Sequence, residues 1–136
     1  MPDITRIDLS RYRLQKAKEM LASAKRDMDA KDYASANNRA YYAVFHAMRA
    51  VLALDGEDYK KHSAVIARFT LNYLRPEILP QKYSKLISNA SLIRNRSDYE
   101  DFYICSVSDT NALFSGAESF YAEVEQYLLG RYGQDV

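Results

Sequence analysis

This chain of 136 residues lacks tryptophan and has little cysteine, proline or glycine: one, three and four residues respectively. The single cysteine, Cys105, excludes an internal disulfide and suits a reducing compartment, so we expect a cytoplasmic protein. The scattered glycines form no phosphate-binding loop, and one cysteine offers no zinc cluster. His46 and His62 lack the Glu-x-x-His spacing of a di-iron bundle. We therefore predict no metal or other cofactor.

An excess of charge of one sign is also missing. Nineteen Lys and Arg face 18 Asp and Glu, which leaves a net charge of +1. No global basic field attracts nucleic acid, so any such binding requires a local patch. Apolar runs stay well short of the roughly 20 residues that span a bilayer. The N-terminal residues lack the apolar segment of a signal peptide, and we expect no membrane partner.

Helical periodicity covers most of the chain. Apolar spacing predicts long helices at 9–31, 33–54, 81–97 and about 107–130, and a short helix at 62–74. Short connections favour antiparallel neighbours. The sequence therefore predicts an all-α fold, an antiparallel four-helix up-and-down bundle with one additional short helix.

Domain boundaries follow from the same pattern. We expect one helical domain at 9–130, preceded by an arm at 1–8 and followed by a loose tail at 131–136. Ser63 and Ser106 are candidate caps for the helices that they precede.

The stretch 33–54 is apolar around most of a helical wheel, which is typical of a central rather than a peripheral helix. Asp32 is suited to cap its start, and Gly56 to end it. Small residues form a ridge along which a neighbouring helix can approach closely. These residues are Ala36, Ala40, Ala43, Ala47 and Ala50.

The remaining polar face of this helix carries Arg39, Tyr42, His46 and Arg49, at spacings of three, four and three. Residues at this spacing project in one direction. One interpretation is a solvated face whose long side chains cover the edge of the core. The other is a groove in which arginines bind phosphate and rings stack on a base.

A second candidate site surrounds Arg94, which lies near the apolar side of its helix. An arginine there needs a partner or a ligand, because an unpaired buried charge is costly. The simple interpretation is an ion pair with Asp98, four residues on. The functional one is an anion-binding arginine with Asn95 and Tyr99 as neutral partners. The basic segment Lys60-Lys61-His62 is interpreted as a solubilising loop.

Three segments resemble the HEPN domain, a family named for higher eukaryotes and prokaryotes nucleotide-binding. They are Asn38-Arg39-Ala-Tyr41-Tyr42-Ala-Val-Phe45-His46-Ala, His62-Ser63 and Arg94-x-x-x-Asp98-Tyr99. The spacing is similar to that of the stand-alone prokaryotic branch of the family. The resemblance implies a helical bundle, usually a homodimer. It also implies a link to toxin–antitoxin or defence systems, whose toxins are often encoded beside a minimal nucleotidyltransferase antitoxin.

Many HEPN proteins are metal-independent ribonucleases whose motif is an Arg, a polar residue, and a His five positions after the Arg. Arg94 and Asn95 match the first two positions, and Tyr99 stands at the His position. A phenol with a pKa of about 10 is a poor general base at pH 7, whereas an imidazole titrates near neutrality. The sequence therefore leaves open whether the protein is an enzyme.

Two functions stay open at this point. The first is binding of RNA or nucleotide in a dimer cleft, with Arg94, Tyr99 and His46 as candidate catalytic residues. Its candidate ligand-binding residues are Arg39, Tyr42, Asn95 and Asp98. The second is a non-catalytic interaction module that partners a nucleotidyltransferase.

Overall fold

The computed structural model describes residues 4–100 and 103–134. These residues form five α-helices and no strand. The helices are α1 (Ile4–Asp29), α2 (Tyr33–Leu54), α3 (His62–Phe69), α4 (Tyr83–Tyr99) and α5 (Val107–Gln134), and a π-helical turn (Thr70–Leu74) continues α3. The predicted all-α fold is confirmed.

Contacts between helix ends fix the direction of the long helices. Ser10, early in α1, donates a hydrogen bond to the carbonyl of Ala50, late in α2, at 2.7 Å. Its hydroxyl also lies 2.6 Å from that of Tyr132, near the end of α5. Asn37, early in α2, donates to Ser97, late in α4, at 3.1 Å. Helix α1 is therefore antiparallel to α2 and α5, and α2 to α4, which is consistent with the predicted up-and-down arrangement.

Helix α2 is the centre of the fold and contacts each of the other four helices. All five alanines of the predicted ridge are at most 2% exposed. On α1, Ala17 and Ala24 are fully buried as well, so α1 and α2 approach closely through small side chains. The largest fully buried side chains of α2 are Tyr41, Met48, Leu52 and Leu54. The prediction of a central helix is confirmed.

Both ends of α2 use the residues that the sequence indicated. The carboxylate of Asp32 accepts a hydrogen bond from the backbone N–H of Ser35 at 3.2 Å. At the other end, Gly56 adopts a left-handed φ of 78°. The N–H groups of Gly56 and Glu57 bond to the carbonyls of Ala53 and Leu52, both at 3.0 Å. This is the Schellman arrangement, which glycine adopts without steric cost.

The two terminal helices extend further than predicted. Helix α1 begins at Ile4 rather than residue 9, and α5 continues past Gly130 to Gln134. Ile7 and Tyr132 explain the difference, because their side chains are 4% and 3% exposed and belong to the core. The predicted arm at 1–8 and tail at 131–136 are therefore wrong over their described residues. Residues 1–3, 135 and 136 lie outside the described part of the chain.

The shorter helices start at or close to the predicted positions. Helix α3 begins at His62, as predicted, but Lys61 rather than Ser63 precedes it, and α4 begins at Tyr83 rather than residue 81. Neither start has a side-chain cap. Ser106 does cap α5, since its hydroxyl accepts from the N–H of Asp109 at 3.2 Å.

The burial of Tyr132 yields a first prediction. Tyr132→Ala removes a core ring and the partner of the Ser10 hydroxyl, so it should lower the free energy of unfolding by about 3 kcal/mol. Leu129→Ala on the same helix is a matched control, because Leu129 is 54% exposed, and it should cost less than about 0.5 kcal/mol. Urea denaturation monitored by circular dichroism measures both. Equal, small effects would contradict the docking of this helix end.

Candidate functional site

Arg94 points into the bundle rather than into solvent. Its side chain is 18% exposed, and Nη2 donates to the hydroxyl of Tyr42 on α2 at 3.2 Å. Nε lies 3.2 Å from a carboxylate oxygen of Asp98, so the ion pair predicted between them is present. The Nε–H is not directed at that oxygen and makes no hydrogen bond. Nη1 donates to Asn95 at 3.3 Å.

Aromatic rings surround the same guanidinium. Cζ of Arg94 lies 5.3 Å from the ring centre of Tyr41, 5.6 Å from that of Tyr42 and 5.7 Å from that of Tyr99. These distances are within the range of cation–π attraction. Tyr41 is buried, whereas Tyr99 is 73% exposed. The guanidinium is therefore fixed on its inner side by α2 and bordered on its outer side by an exposed ring.

A chain of polar contacts extends this site along α2. The amide of Asn38 donates to Asp98 at 3.0 Å, and Nη1 of Arg39 donates to the carbonyl oxygen of Asn38 at 2.7 Å. We call the set around Arg94 the Arg94 cluster. It contains Arg94 with Asn38, Arg39, Tyr41, Tyr42, Asn95, Asp98 and Tyr99.

The Arg94 cluster unites most of the predicted site residues. Arg39, Tyr42, Asn95, Asp98, Arg94 and Tyr99 all belong to it. Whether they bind a ligand stays a prediction. Their positions follow from α2 and α4 lying antiparallel, which brings residues 38–42 opposite residues 94–98.

His46 lies outside the Arg94 cluster, on the far side of Tyr42. The two ring centres are 6.0 Å apart. Burial first, and then the charges of Arg49, Lys16 and Arg13, lower the pKa of His46 to about 4. His46 is therefore neutral at pH 7 and close to a different group of cations, which belong to α1 and to the end of α2.

Those cations form a second group around one carboxylate. Nη2 of Arg49 lies 2.8 Å and Nη2 of Arg13 3.1 Å from the same oxygen of Asp58. The hydrogen bonds and charges of the two arginines hold the pKa of Asp58 below its usual value. One carboxylate thus offsets two guanidiniums, and this end of the α2 face stays positively charged.

His62 was interpreted as part of a solubilising loop, and the structure places it against α2 instead. Its Nδ1 lies 2.8 Å from the hydroxyl of Tyr41, a member of the Arg94 cluster. Its ring stacks on Phe45 with ring centres 4.1 Å apart. Burial first, then the charges of Arg94 and Arg49, lower the pKa of His62. The only sequence signal for this position was the resemblance that included His62-Ser63.

Two cavities of the protein lie outside the Arg94 cluster. One of about 300 Å³ lies between the end of the π-helical turn and the start of α4. The other, of about 140 Å³, separates α4 from α5 and is lined in part by Ile93 and Asp109. Members of the Arg94 cluster line neither one. The outer side of the cluster is open to solvent at Tyr99, which is 73% exposed.

Among the described residues, no helix is long and apolar enough to cross a membrane. In the same part of the chain, no three His, Cys, Asp or Glu side chains come together as metal ligands.

The fold and site define a class of protein: an α-helical bundle with a semi-buried arginine, bordered by tyrosines, at the junction of its central helix and a neighbour. Residues 10–127 match the HEPN domain family. The chain therefore belongs to the HEPN family, and the resemblance seen in the sequence is confirmed.

Individual relatives agree with this assignment. A Methanocaldococcus jannaschii protein named "Putative toxin MJ0605" is 35% identical over 83 residues, which span 61% of this chain and 62% of that relative. The match thus covers less than two thirds of its length. An Archaeoglobus fulgidus protein named as a UPF0332 protein is 32% identical over 94 residues, 68% of this chain and 74% of the relative.

A solved structure supports the fold. The crystal structure of the protein TT1696 from Thermus thermophilus matches with a TM-score of 0.73 at 18% identity. The match covers 87% of this chain and 97% of that one. At this identity the likeness shows the shared helical fold alone.

The environment of His46 yields a prediction about pH. Its folded pKa of about 4 lies below the value of about 6.5 of an unperturbed histidine. The unfolded chain therefore binds more protons between these values, and stability falls as the pH falls from about 6.5 towards 4. His46→Gln should reduce the loss of unfolding free energy between pH 7 and pH 5 by about 1–2 kcal/mol.

Urea denaturation of wild type and His46→Gln at both pH values measures this difference. The lowered pKa of His62 is present in both proteins and cancels in the comparison. Identical pH dependence in the two proteins would show that His46 is not kept neutral by its surroundings.

Proposed function

We propose that this HEPN protein binds single-stranded RNA through the Arg94 cluster, in the cleft of a homodimer, as a cytoplasmic component of a toxin–antitoxin or defence system. The observation that carries the proposal is the guanidinium of Arg94, which α2 holds in place beside an exposed tyrosine ring. Family membership and the toxin name of a relative support the biological context.

The chemistry of the Arg94 cluster suits a phosphate next to a base. A guanidinium recognises phosphate through paired N–H groups, and its planar shape adds directionality. Asp98 lies against the Nε side of Arg94, whereas neutral partners, Tyr42 and Asn95, occupy the two Nη groups. A phosphate can share or replace these neutral partners. The exposed ring of Tyr99 provides a surface on which a base stacks.

A carboxylate and amides near the phosphate position favour a ribonucleotide. Asp98 and Asn38 are hydrogen-bonded to each other at 3.0 Å and lie beside Arg94. A carboxylate accepts a hydrogen bond from a ribose 2′-hydroxyl, which DNA lacks. We therefore expect the site to prefer RNA over DNA through the contact at Asp98.

Exposed apolar side chains beside the Arg94 cluster support the dimer. Leu92, on α4, is 49% exposed. Ile104 and Val107, in the connection to α5 and at its start, are 87% and 49% exposed. A second copy that covers this apolar face would bring its own Arg94 close to the first, and the two cations would form one cleft.

Loss of Arg94 tests the binding proposal. Arg94→Ala should weaken binding of a single-stranded RNA about 10–100-fold and reduce the slope of log affinity against log salt by about 0.7. Arg96→Ala is the matched control: Arg96 is two residues away, is 48% exposed and faces Glu100. Fluorescence anisotropy at several salt concentrations measures both. Equal binding by wild type and Arg94→Ala would instead favour the non-catalytic module that partners a nucleotidyltransferase.

The apolar face yields a separate prediction. Ile104→Glu should convert a dimer into monomers, because a carboxylate cannot be buried in an apolar interface without a partner. Leu129→Glu, at another exposed apolar position, should leave the molecular mass unchanged. Light scattering coupled to size-exclusion chromatography measures the mass. A monomeric wild type, or a dimer that survives Ile104→Glu, would contradict this interface.

A further inference from the structure

We propose that His62 is the general base for RNA cleavage at the Arg94 cluster, in place of the residue at position 99. The proposal rests on RNA binding at this site, as set out above. It adds a catalytic residue that the arginine motif on α4 does not contain. The position of the imidazole, its hydrogen bond and the charges that face it support this role.

Aromatic rings of α2 fix the imidazole. His62 is the first residue of α3, and its ring lies nearly parallel to Phe45, with centres 4.1 Å apart and planes at 28°. The ring of Tyr41 is also stacked, at 5.7 Å, and Tyr42 meets His62 edge-on at 5.8 Å. Tyr41 and Tyr42 are the two rings that contact the guanidinium of Arg94 from within the bundle. The imidazole and Arg94 therefore share one aromatic surface.

The hydrogen bond of His62 leaves its other nitrogen for a substrate. Nδ1 lies 2.8 Å from the hydroxyl of Tyr41. Burial raises the pKa of Tyr41 to about 12, so this phenol stays protonated at neutral pH. A phenol accepts as well as donates. When Nδ1–H donates to Tyr41, Nε2 is unprotonated and serves as a base.

Burial and two nearby cations keep this imidazole neutral. Burial first, and then the charges of Arg94 on α4 and Arg49 on α2, lower the pKa of His62. Cζ of Arg49 lies 5.8 Å from the ring centre of Phe45, on which His62 stacks. Both guanidiniums therefore act electrostatically on the imidazole. An incoming phosphate reduces their net positive charge, which shifts the pKa of His62 back towards neutrality, where a general base is most effective.

The other two candidates meet these conditions less well. His46 faces Arg49, Lys16 and Arg13, and a pKa of about 4 makes it a weak base. Tyr99 is 73% exposed, and a phenol is a poor general base at neutral pH. His62 combines a neutral imidazole, a fixed ring and contact with the Arg94 cluster.

The reaction balances without a further reactant. Nε2 of His62 takes the proton of a ribose 2′-hydroxyl, and the 2′-oxygen forms a bond to the adjacent phosphorus. The bond from phosphorus to the 5′-oxygen breaks, and this oxygen takes up the proton from the imidazolium. The products are a 2′,3′-cyclic phosphate and a 5′-hydroxyl. Arg94 stabilises the negative charge that develops on the non-bridging oxygens.

The experiment uses the full chain and a DNA oligonucleotide that contains one ribonucleotide. Wild type should cleave at that position and leave an all-DNA strand intact. His62→Gln and His62→Asn should both lose at least about 100-fold in cleavage rate. Their affinity for a non-cleavable RNA, in which a methylene group replaces each bridging 5′-oxygen and every 2′-hydroxyl is kept, should stay within about threefold. Thermal melting checks that they are folded. Lys61→Gln, at the exposed neighbouring position, should cleave normally.

Chemical rescue separates catalysis from a structural role. His62→Ala should regain cleavage when free imidazole is added, whereas Arg94→Ala should not. Cleavage by His62→Gln at the wild-type rate, or absence of rescue in a folded His62→Ala, would overturn the proposal. So would a wild type that binds the methylene-substituted RNA without cleaving the ribonucleotide, although RNA binding itself would then stand. A wild type that does not bind RNA would overturn both proposals.

Discussion

The burial of helix α2 is the constraint on which the rest of this structure depends. Because other helices surround it, buried polar groups on α2 need partners on neighbouring elements. Asn37 pairs with Ser97, Tyr42 with Arg94, Tyr41 with His62 and Arg49 with Asp58. The same contacts that satisfy α2 therefore place an arginine and an imidazole of two other helices on one surface.

Charge is distributed unevenly in a chain whose net charge is only +1. Arg94 at one end of the α2 face has a single carboxylate beside it, and at the other end Arg13 and Arg49 share Asp58. His62 and His46 lie near these cations, which together with burial keep both imidazoles neutral. A nearly neutral protein thus presents a local positive surface. Such a surface favours short-range contact with an anion and provides little long-range attraction of nucleic acid.

The tyrosines explain how a charge is tolerated so close to the core. Three rings border the guanidinium of Arg94, and Tyr42 also accepts one of its hydrogen bonds. These contacts compensate part of the desolvation of the cation without neutralising it.

The sequence by itself determined the helices and the central role of α2, because helical periodicity, caps and alanine spacing are local properties of the chain. It also indicated Arg94, since an arginine on an apolar face is visible without coordinates. Only the tertiary structure decided the extent of the terminal helices, which depends on the docking of Ile7 and Tyr132. It likewise decided that His62 hydrogen-bonds to Tyr41 of the Arg94 cluster, whereas His46 only lies against the ring of Tyr42. Residues 62 and 94 come together only when two other helices pack on α2, and no local pattern encodes that packing.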